Sequence, residues 1–181
     1  MKVTIICASP RENSYTRALT DMAFDYAKGL TQEITYIDAR RDRVRPFEGL
    51  EVDYDEATKK IVRALETSDV FIIGSPVYNG CMSSALKNLF EFVDYKKLEG
   101  AVAGILLKGS GRISFLQVLG QAQALMNYFK VITNPRAVFV DDDDFFEGSL
   151  ELKNRKIKER IRVLVNETLG LKSAIAKGRV Q

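Results

Sequence analysis

Ser9, Arg11, Ser14 and Thr16 crowd into one short stretch, Ser9-Pro10-Arg11-Glu12-Asn13-Ser14-Tyr15-Thr16. Three hydroxyls and a guanidinium at that density suit an anion, because each hydroxyl gives one hydrogen bond and the arginine fork meets phosphate oxygens two at a time. Before the stretch runs the apolar segment Val3, Ile5, Ile6, Cys7; after it Ala18, Leu19, Met22, Ala23 and Tyr26 recur at helical spacing. A strand that enters a helix through a polar loop leaves the first helical amides without intrahelical partners, and negative charge settles there. The stretch therefore reads as a phosphate cradle. It reads equally as ordinary helix capping, with Asn13 or Ser14 as the cap and Pro10 as turn punctuation. It has neither the glycine-rich dinucleotide fingerprint nor the Lys-Ser/Thr ending of a P-loop.

A second stretch, Pro76-Val77-Tyr78-Asn79-Gly80, is a tight turn bearing an aromatic ring. Pro76 fixes one dihedral, Asn79 and Gly80 tolerate positive φ, and backbone amides are left beside Tyr78. That surface suits a planar heterocycle with carbonyls and nitrogens on its edge, although Asn-Gly alone makes a turn. The chain has no histidine. Ser-His and Cys-His nucleophile pairs, His-ligated metals and His general bases are thereby excluded, leaving chemistry that runs on a cofactor. Its two cysteines, Cys7 in an apolar strand and Cys81 in a loop, make neither a disulfide framework nor a metal site. Asp141 to Asp144 reads as a solvated loop rather than a metal site.

The net charge of +3 is too mild and too dispersed for a nucleic-acid reader, yet it suits a small polyanion. No apolar run approaches the length of a membrane span, and Met1-Lys2 leads directly into the first strand without a signal-peptide core, so a cytoplasmic location is expected.

The remaining elements follow in alternation. Helices are expected over 14–30, 55–67, 83–92, from Lys108-Gly109-Ser110-Gly111-Arg112 onward, and over 150–169. Strands are expected at 3–7, 33–37, 70–74, 101–107 and 137–140, with Val131 and Ile132 as a lead-in to the last. Apolar strands alternating with helices imply one parallel sheet covered on both faces, of doubly wound order 2-1-3-4-5, in a single domain with a tail over 170–181. In that order ligands sit beyond the carboxyl ends of the strands, where strands one and three diverge. The two stretches then become neighbours. Arg40, Arg41, Arg43 and Arg45 after strand two read either as a solvated loop or as partners of an anionic substrate or a dinucleotide's phosphates.

Together, Ser9-x-Arg11-x-x-Ser14-x-Thr16 and Pro76-x-Tyr78-Asn79-Gly80, the latter followed by Leu86-Lys87-Asn88, resemble the motifs of the NADPH-dependent FMN reductases of flavodoxin-like fold. The resemblance covers about the first 130 residues. It implies FMN with its phosphate at Ser9, Arg11, Ser14, Tyr15 and Thr16, its ring against Pro76, Val77, Tyr78, Asn79 and Gly80, and a third loop at Lys108, Gly109, Ser110 and Gly111. It further implies NADPH or NADH as donor, and a flavin, quinone, azo compound or metal oxyanion as a small-molecule acceptor. No catalytic side chain is needed, and no metal. A homodimer or homotetramer is expected, with Phe90, Phe92, Phe145 and Phe146 as interface candidates. The chain departs from the family where Cys7-Ala8 replaces a common glycine before the serine, and where Val77 stands in a place often held by Glu. A non-enzymatic electron carrier is the competing reading, against which the positive charge and Arg11 weigh. A cofactor-free regulatory domain is a third; its acidic cluster would have to follow strand one, not strand five.

Overall fold

A computed structural model describes residues 1–178. The strands are β1 (Val3–Cys7), β2 (Ile34–Asp38), β3 (Val70–Tyr78), β4 (Cys81–Met82), β5 (Val102–Lys108), β6 (Ile132–Thr133) and β7 (Val138–Val140). The helices are α1 (Tyr15–Lys28), α2 (Glu56–Glu66), α3 (Ser84–Glu91), α4 (Arg112–Tyr128) and α5 (Arg155–Gly178). The parallel path is β2-β1-β3-β5, and both β6 and β7 pair with β5, so the fifth position of the doubly wound order is filled by two short pieces. Pro135, which cannot donate to a ladder, lies in the break between them. The expected lead-in at Ile132 is thus itself a paired strand, and β4 adds a small antiparallel hairpin to the end of β3.

All of β1 and β5 is buried, as strands covered on both faces must be. One core layer joins the sheet to α1 and α5 through Leu19, Ala23, Ile161, Leu164 and Val165. The opposite layer joins it to α2, α3 and α4 through Leu65, Leu89, Phe90 and Met126. The caps lie where the polar residues fall: Ser14, Asp55 and Ser83 each accept a backbone amide at the start of α1, α2 and α3.

Three expectations change. The final helix starts at Arg155 rather than near Leu150, because Phe145 bridges Leu152 and Asn154 Oδ1 accepts the Lys156 amide at 3.0 Å to cap the helix. It then runs through the supposed tail to Gly178. Lys172 fastens that stretch to the sheet, donating to the Gly100 carbonyl at 3.3 Å and pairing with Asp69 at 3.1 Å. Arg179 lies outside the described residues. Phe90, Phe92 and Phe145 are core and supply no interface, because α3 and the bridged 145–152 segment turn them inward; only Phe146 is exposed.

The approach of α1 to β3 depends on Gly74. A Cβ there would lie 2.3 Å from Thr20 Cγ2 and 3.2 Å from Thr16 Cγ2. Gly74→Ala should lower unfolding free energy by about 1–3 kcal/mol, the usual cost of overpacking. Thr20→Ser removes the clashing methyl, so a urea double-mutant cycle should show the two changes costing clearly less together than the sum of each alone.

Candidate functional site

Register brings the loops together. Cys7 is level with Asp38 on β2 and with Gly74 on β3, and Pro76 is level with Lys108 on β5, so the loops after these strands leave one sheet edge side by side. Two long-range hydrogen bonds then tie the first two ring and phosphate loops. The Ala8 amide donates to the Gly74 carbonyl at 2.8 Å, and the Ser83 hydroxyl donates to the Ala8 carbonyl at 2.7 Å while also capping α3.

The result is a cavity of about 190 Å³ walled by Ser9, Arg11, Ser14, Tyr15, Thr16, Pro76, Val77, Tyr78, Lys108, Gly109 and Ser110, with Asn13 and Asp142 added. Eleven of the fourteen residues expected from sequence therefore share one cavity wall. The other three do not line it. Asn79 (φ 50°) and Gly80 (φ 73°) make the turn of the β3-β4 hairpin, and Gly111 (φ 95°) stands at the cap position of α4. Gly109 is required where it is, since a Cβ would meet Val77 Cβ at 2.9 Å.

Positive charge is built into the cavity. Lys108 is 7% exposed, and its ammonium pairs with Asp142 at 2.7 Å and stands 5.2 Å from the centroid of the Tyr15 ring. Asp142 also accepts from the Ser110 hydroxyl at 2.7 Å. These bonds from Lys108 and Ser110 hold its carboxyl below the usual carboxylate range. Asp142 is therefore a partner of the third loop, which corrects the expectation that the acidic run is merely solvated. Its neighbours Asp141 and Asp144 cap each other's backbone. Among the described residues no cluster of acids and cysteines is placed to hold a metal.

Behind the loop lies an ion pair that the spacing of the chain does not reveal. Arg17 is 7% exposed and Asp38 2% exposed; Nε donates to Oδ2 at 2.5 Å, Nη2 donates to Oδ1 at 3.1 Å, and Nη1 donates to the Glu12 carbonyl at 2.5 Å. One guanidinium thus fastens the end of β2 to the middle of the β1 loop. Arg17 carried no signal beyond being a charged residue at a position of α1 that faces inward. Burial pushes the Asp38 carboxyl up, but the Arg17 guanidinium and the amides of Arg40 and Arg41 outweigh it, so it lies below its ordinary value.

The donor set suits a flavin mononucleotide. Ser9, Arg11, Ser14 and Thr16 would hold its phosphate, and Val77, Tyr78 and Gly109 would line its ring. The Asp142 carboxylate is no obstacle to the anion because Lys108 neutralises it.

Sheet order, covering helices and strand-edge cavity define a flavodoxin-like α/β protein. An oxidoreductase from Corynebacterium diphtheriae has this fold, with a TM-score of 0.80 over 96% of this chain and 97% of that one at 19% identity. The family model described as NADPH-dependent FMN reductase matches residues 1–145. The chain belongs to that family. Among relatives, the NAD(P)H-dependent FAD/FMN reductase of Geobacillus thermodenitrificans is 28% identical over 127 residues, 70% of this chain and 68% of that protein. The FMN-dependent NADPH-azoreductase of Staphylococcus saprophyticus is 26% identical over 181 residues, 93% of this chain and 94% of that protein.

Asp38→Asn leaves Arg17 charged and buried without its counter-ion, and should cost about 3–5 kcal/mol in denaturant unfolding. Because the folded carboxyl lies below its unfolded value near 4, its stabilisation is complete above that pH and is lost progressively as pH falls from there through the lower folded value. Stability curves of the wild type should therefore bend downward below about pH 4, and Asp38→Asn should lack that component.

Proposed function

We propose that the protein is an FMN-dependent NAD(P)H oxidoreductase that passes electrons from a nicotinamide to a flavin, quinone, azo compound or similar small acceptor. The observation that carries this reading is the convergence of Arg11 and Tyr78, remote in sequence, on one cavity. In this proposal Ser9, Arg11, Ser14, Tyr15 and Thr16 hold the phosphate, and Pro76, Val77, Tyr78 and Gly109 line the ring.

When bound, the flavin supplies two-electron acceptance from the nicotinamide and two-electron donation to the acceptor. The chain's own groups orient and neutralise. Arg11 and the α1 cap fix the anionic end, while Gly109 lets the backbone approach the rim. Lys108, held in place by Asp142, would stand as a hydrogen-bond donor beside the bound flavin. Tyr78, 36% exposed, presents its ring at the rim, where donor and acceptor take turns. No side-chain acid or nucleophile is called for, in keeping with a chain that has no histidine.

The same proposal makes the protein a homodimer or homotetramer, with Ile113, Leu116 and Tyr128 on α4 as the apolar surface in place of the buried phenylalanines; Ile113 is 81% exposed. We also place it in the cytoplasm, where unpaired Cys7 and Cys81 suit a reducing compartment. Among the described residues no helix is long and apolar enough to cross a membrane.

Arg11→Gln should weaken FMN binding about tenfold, the effect of losing a charge-assisted phosphate contact. Riboflavin, which has no phosphate, should bind both forms alike; fluorescence titration reads the two affinities. Wild type loaded with FMN should oxidise NADPH or NADH steadily when a quinone is added. A single stoichiometric reduction without turnover would instead describe an electron carrier.

A further inference from the structure

Val77 and Tyr78 lie beyond the part of the sheet that fixes their neighbours. The pairing of β3 with β1 stops at Gly74 and that with β5 stops at Pro76, so among the described residues the two-residue β4 is the one strand left beside them. A two-stranded hairpin is marginal by itself, and its outer strand carries unpaired donors and acceptors. Something else must hold this one still.

The outer edge of β4 is met by one side chain. From α4, Gln121 Oε1 accepts the Met82 amide at 3.1 Å, and Gln121 Nε2 donates to the Gly80 carbonyl at 3.2 Å. A carboxamide presents an acceptor and donors side by side, as a peptide group does, so Gln121 pairs with β4 as a residue of a third strand would. Nε2 also reaches Cys81 Sγ, at 3.7 Å. One turn earlier on the same face of α4, Gln117 Oε1 stands 3.2 Å from where a Cβ on Gly80 would lie, which leaves the turn little room to swing toward the helix.

The helix that grips the hairpin is itself fixed. Val118, Ala122 and Met126 bury one side of α4 in the core, and the residues just before its first turn are the third loop, Lys108 to Gly111. Both ring loops are therefore set by one rod. One loop runs into its start, and the other hangs from Gln121, about 15 Å along it.

We propose that Gln121 is the positioning residue of the ring site: by holding the β3-β4 hairpin it places Val77 and Tyr78 for the flavin ring. The proposal rests on the FMN reading. Gln121 itself is not part of the cavity wall, so its action passes through the hairpin. Asn79 and Gly80 gain a role by the same route. With φ positive at both, they make the two-residue turn that suits a hairpin's twist and deliver the Gly80 carbonyl to the carboxamide.

The test is flavin binding by Gln121→Leu and Gln121→Glu, read by fluorescence titration with FMN and with riboflavin. Leucine keeps the bulk and offers no hydrogen bond. Both ligands should then bind about tenfold more weakly, and by the same factor, because the change reaches the ring and not the phosphate end. Glutamate separates hydrogen bonding from shape. Ionised, it only accepts and turns lone pairs toward the Gly80 carbonyl; protonated, it has a donor beside an acceptor and can replace both bonds of the glutamine.

A glutamate titrates near 4.3 in water, and a half-buried place beside a carbonyl raises that value, so the protonated form gains as pH falls from about 8 to about 5. Riboflavin affinity of Gln121→Glu should match the leucine variant at the upper pH and climb at least about threefold toward wild type at the lower. The ratio of leucine variant to wild type should stay flat. From Ile113 to Tyr128 α4 has no charged residue, and the strands packed on it bring Tyr78, Cys81 and Lys108. Those three groups are common to all the proteins compared and cancel from the ratios.

A leucine variant that binds riboflavin as wild type does overturns the proposal, as does a loss confined to FMN, which would move the effect to the phosphate end. A glutamate variant whose affinity ignores pH overturns it too. That arm stands without the leucine variant should the urea midpoint show that leucine prevents folding. Wild type taking up neither ligand removes the FMN reading and the proposal with it, whereas wild type binding both with the variants unaffected removes the proposal alone.

Discussion

Everything at the strand edge depends on the parallel register of β1 with its two neighbours. β1 is buried on both faces, so its five residues cannot slip without moving apolar side chains from one core layer to the other. That register sets Cys7 level with Asp38 and Gly74, and three loops of unrelated sequence are thereby compelled to share one small region of space. None of the loops has a core of its own. Their positions are borrowed from the sheet and then refined by a few polar contacts: Ser83 to Ala8, Arg17 to Asp38, Asp142 to Lys108.

Those three contacts differ in physical kind. Ser83 to Ala8 is a neutral buried hydrogen bond between a helix cap and a strand end, worth on the order of 1 kcal/mol. Lys108 with Asp142 joins a buried ammonium to a carboxylate whose side chain is 54% exposed, so solvent screens it and its value is chiefly placement. Arg17 with Asp38 is shielded from water on both sides. It contributes little net stability relative to an apolar pair, yet it strongly penalises any state in which one partner is missing. A pair of that kind selects one arrangement of the β1 loop over its alternatives, which is what a loop of Ser, Pro, Asn and Glu needs if it is to meet a ligand already ordered.

How much of this was legible in the sequence follows from range. The strands and helices were readable because apolar periodicity is a local signal, and the cap at Ser14, offered beside Asn13, because capping is chemistry within four residues. The meeting of the first two loops was also readable, through the topological rule for doubly wound sheets. The split fifth strand was half visible, as Val131 and Ile132 ahead of Pro135. What stayed hidden were partnerships whose members lie far apart in the chain. Nothing near Asp142 announces Lys108, and nothing near Arg17 announces Asp38. The extension of α5 through 170–178 was missed for the same reason, since Gly170 looks like a helix end until Lys172 finds Asp69 across the fold.

The arginine loop after β2 shows how such hidden pairs change the meaning of a charge run. Read along the chain, Arg40, Arg41, Arg43 and Arg45 alternate with Asp38, Asp42 and Glu48, and appear nearly balanced. In three dimensions the balance is uneven. Asp38 is turned inward and spent on Arg17, Glu48 is spent on Arg45, and Asp42 accepts a backbone amide. The acids are consumed by structure while two guanidinium groups have no ion-pair partner among the described residues. A field of positive sign is therefore left beside the loop proposed to hold a phosphate. It arises from the geometry of pairing rather than from composition, and the net charge of +3 gives no hint of where it lies.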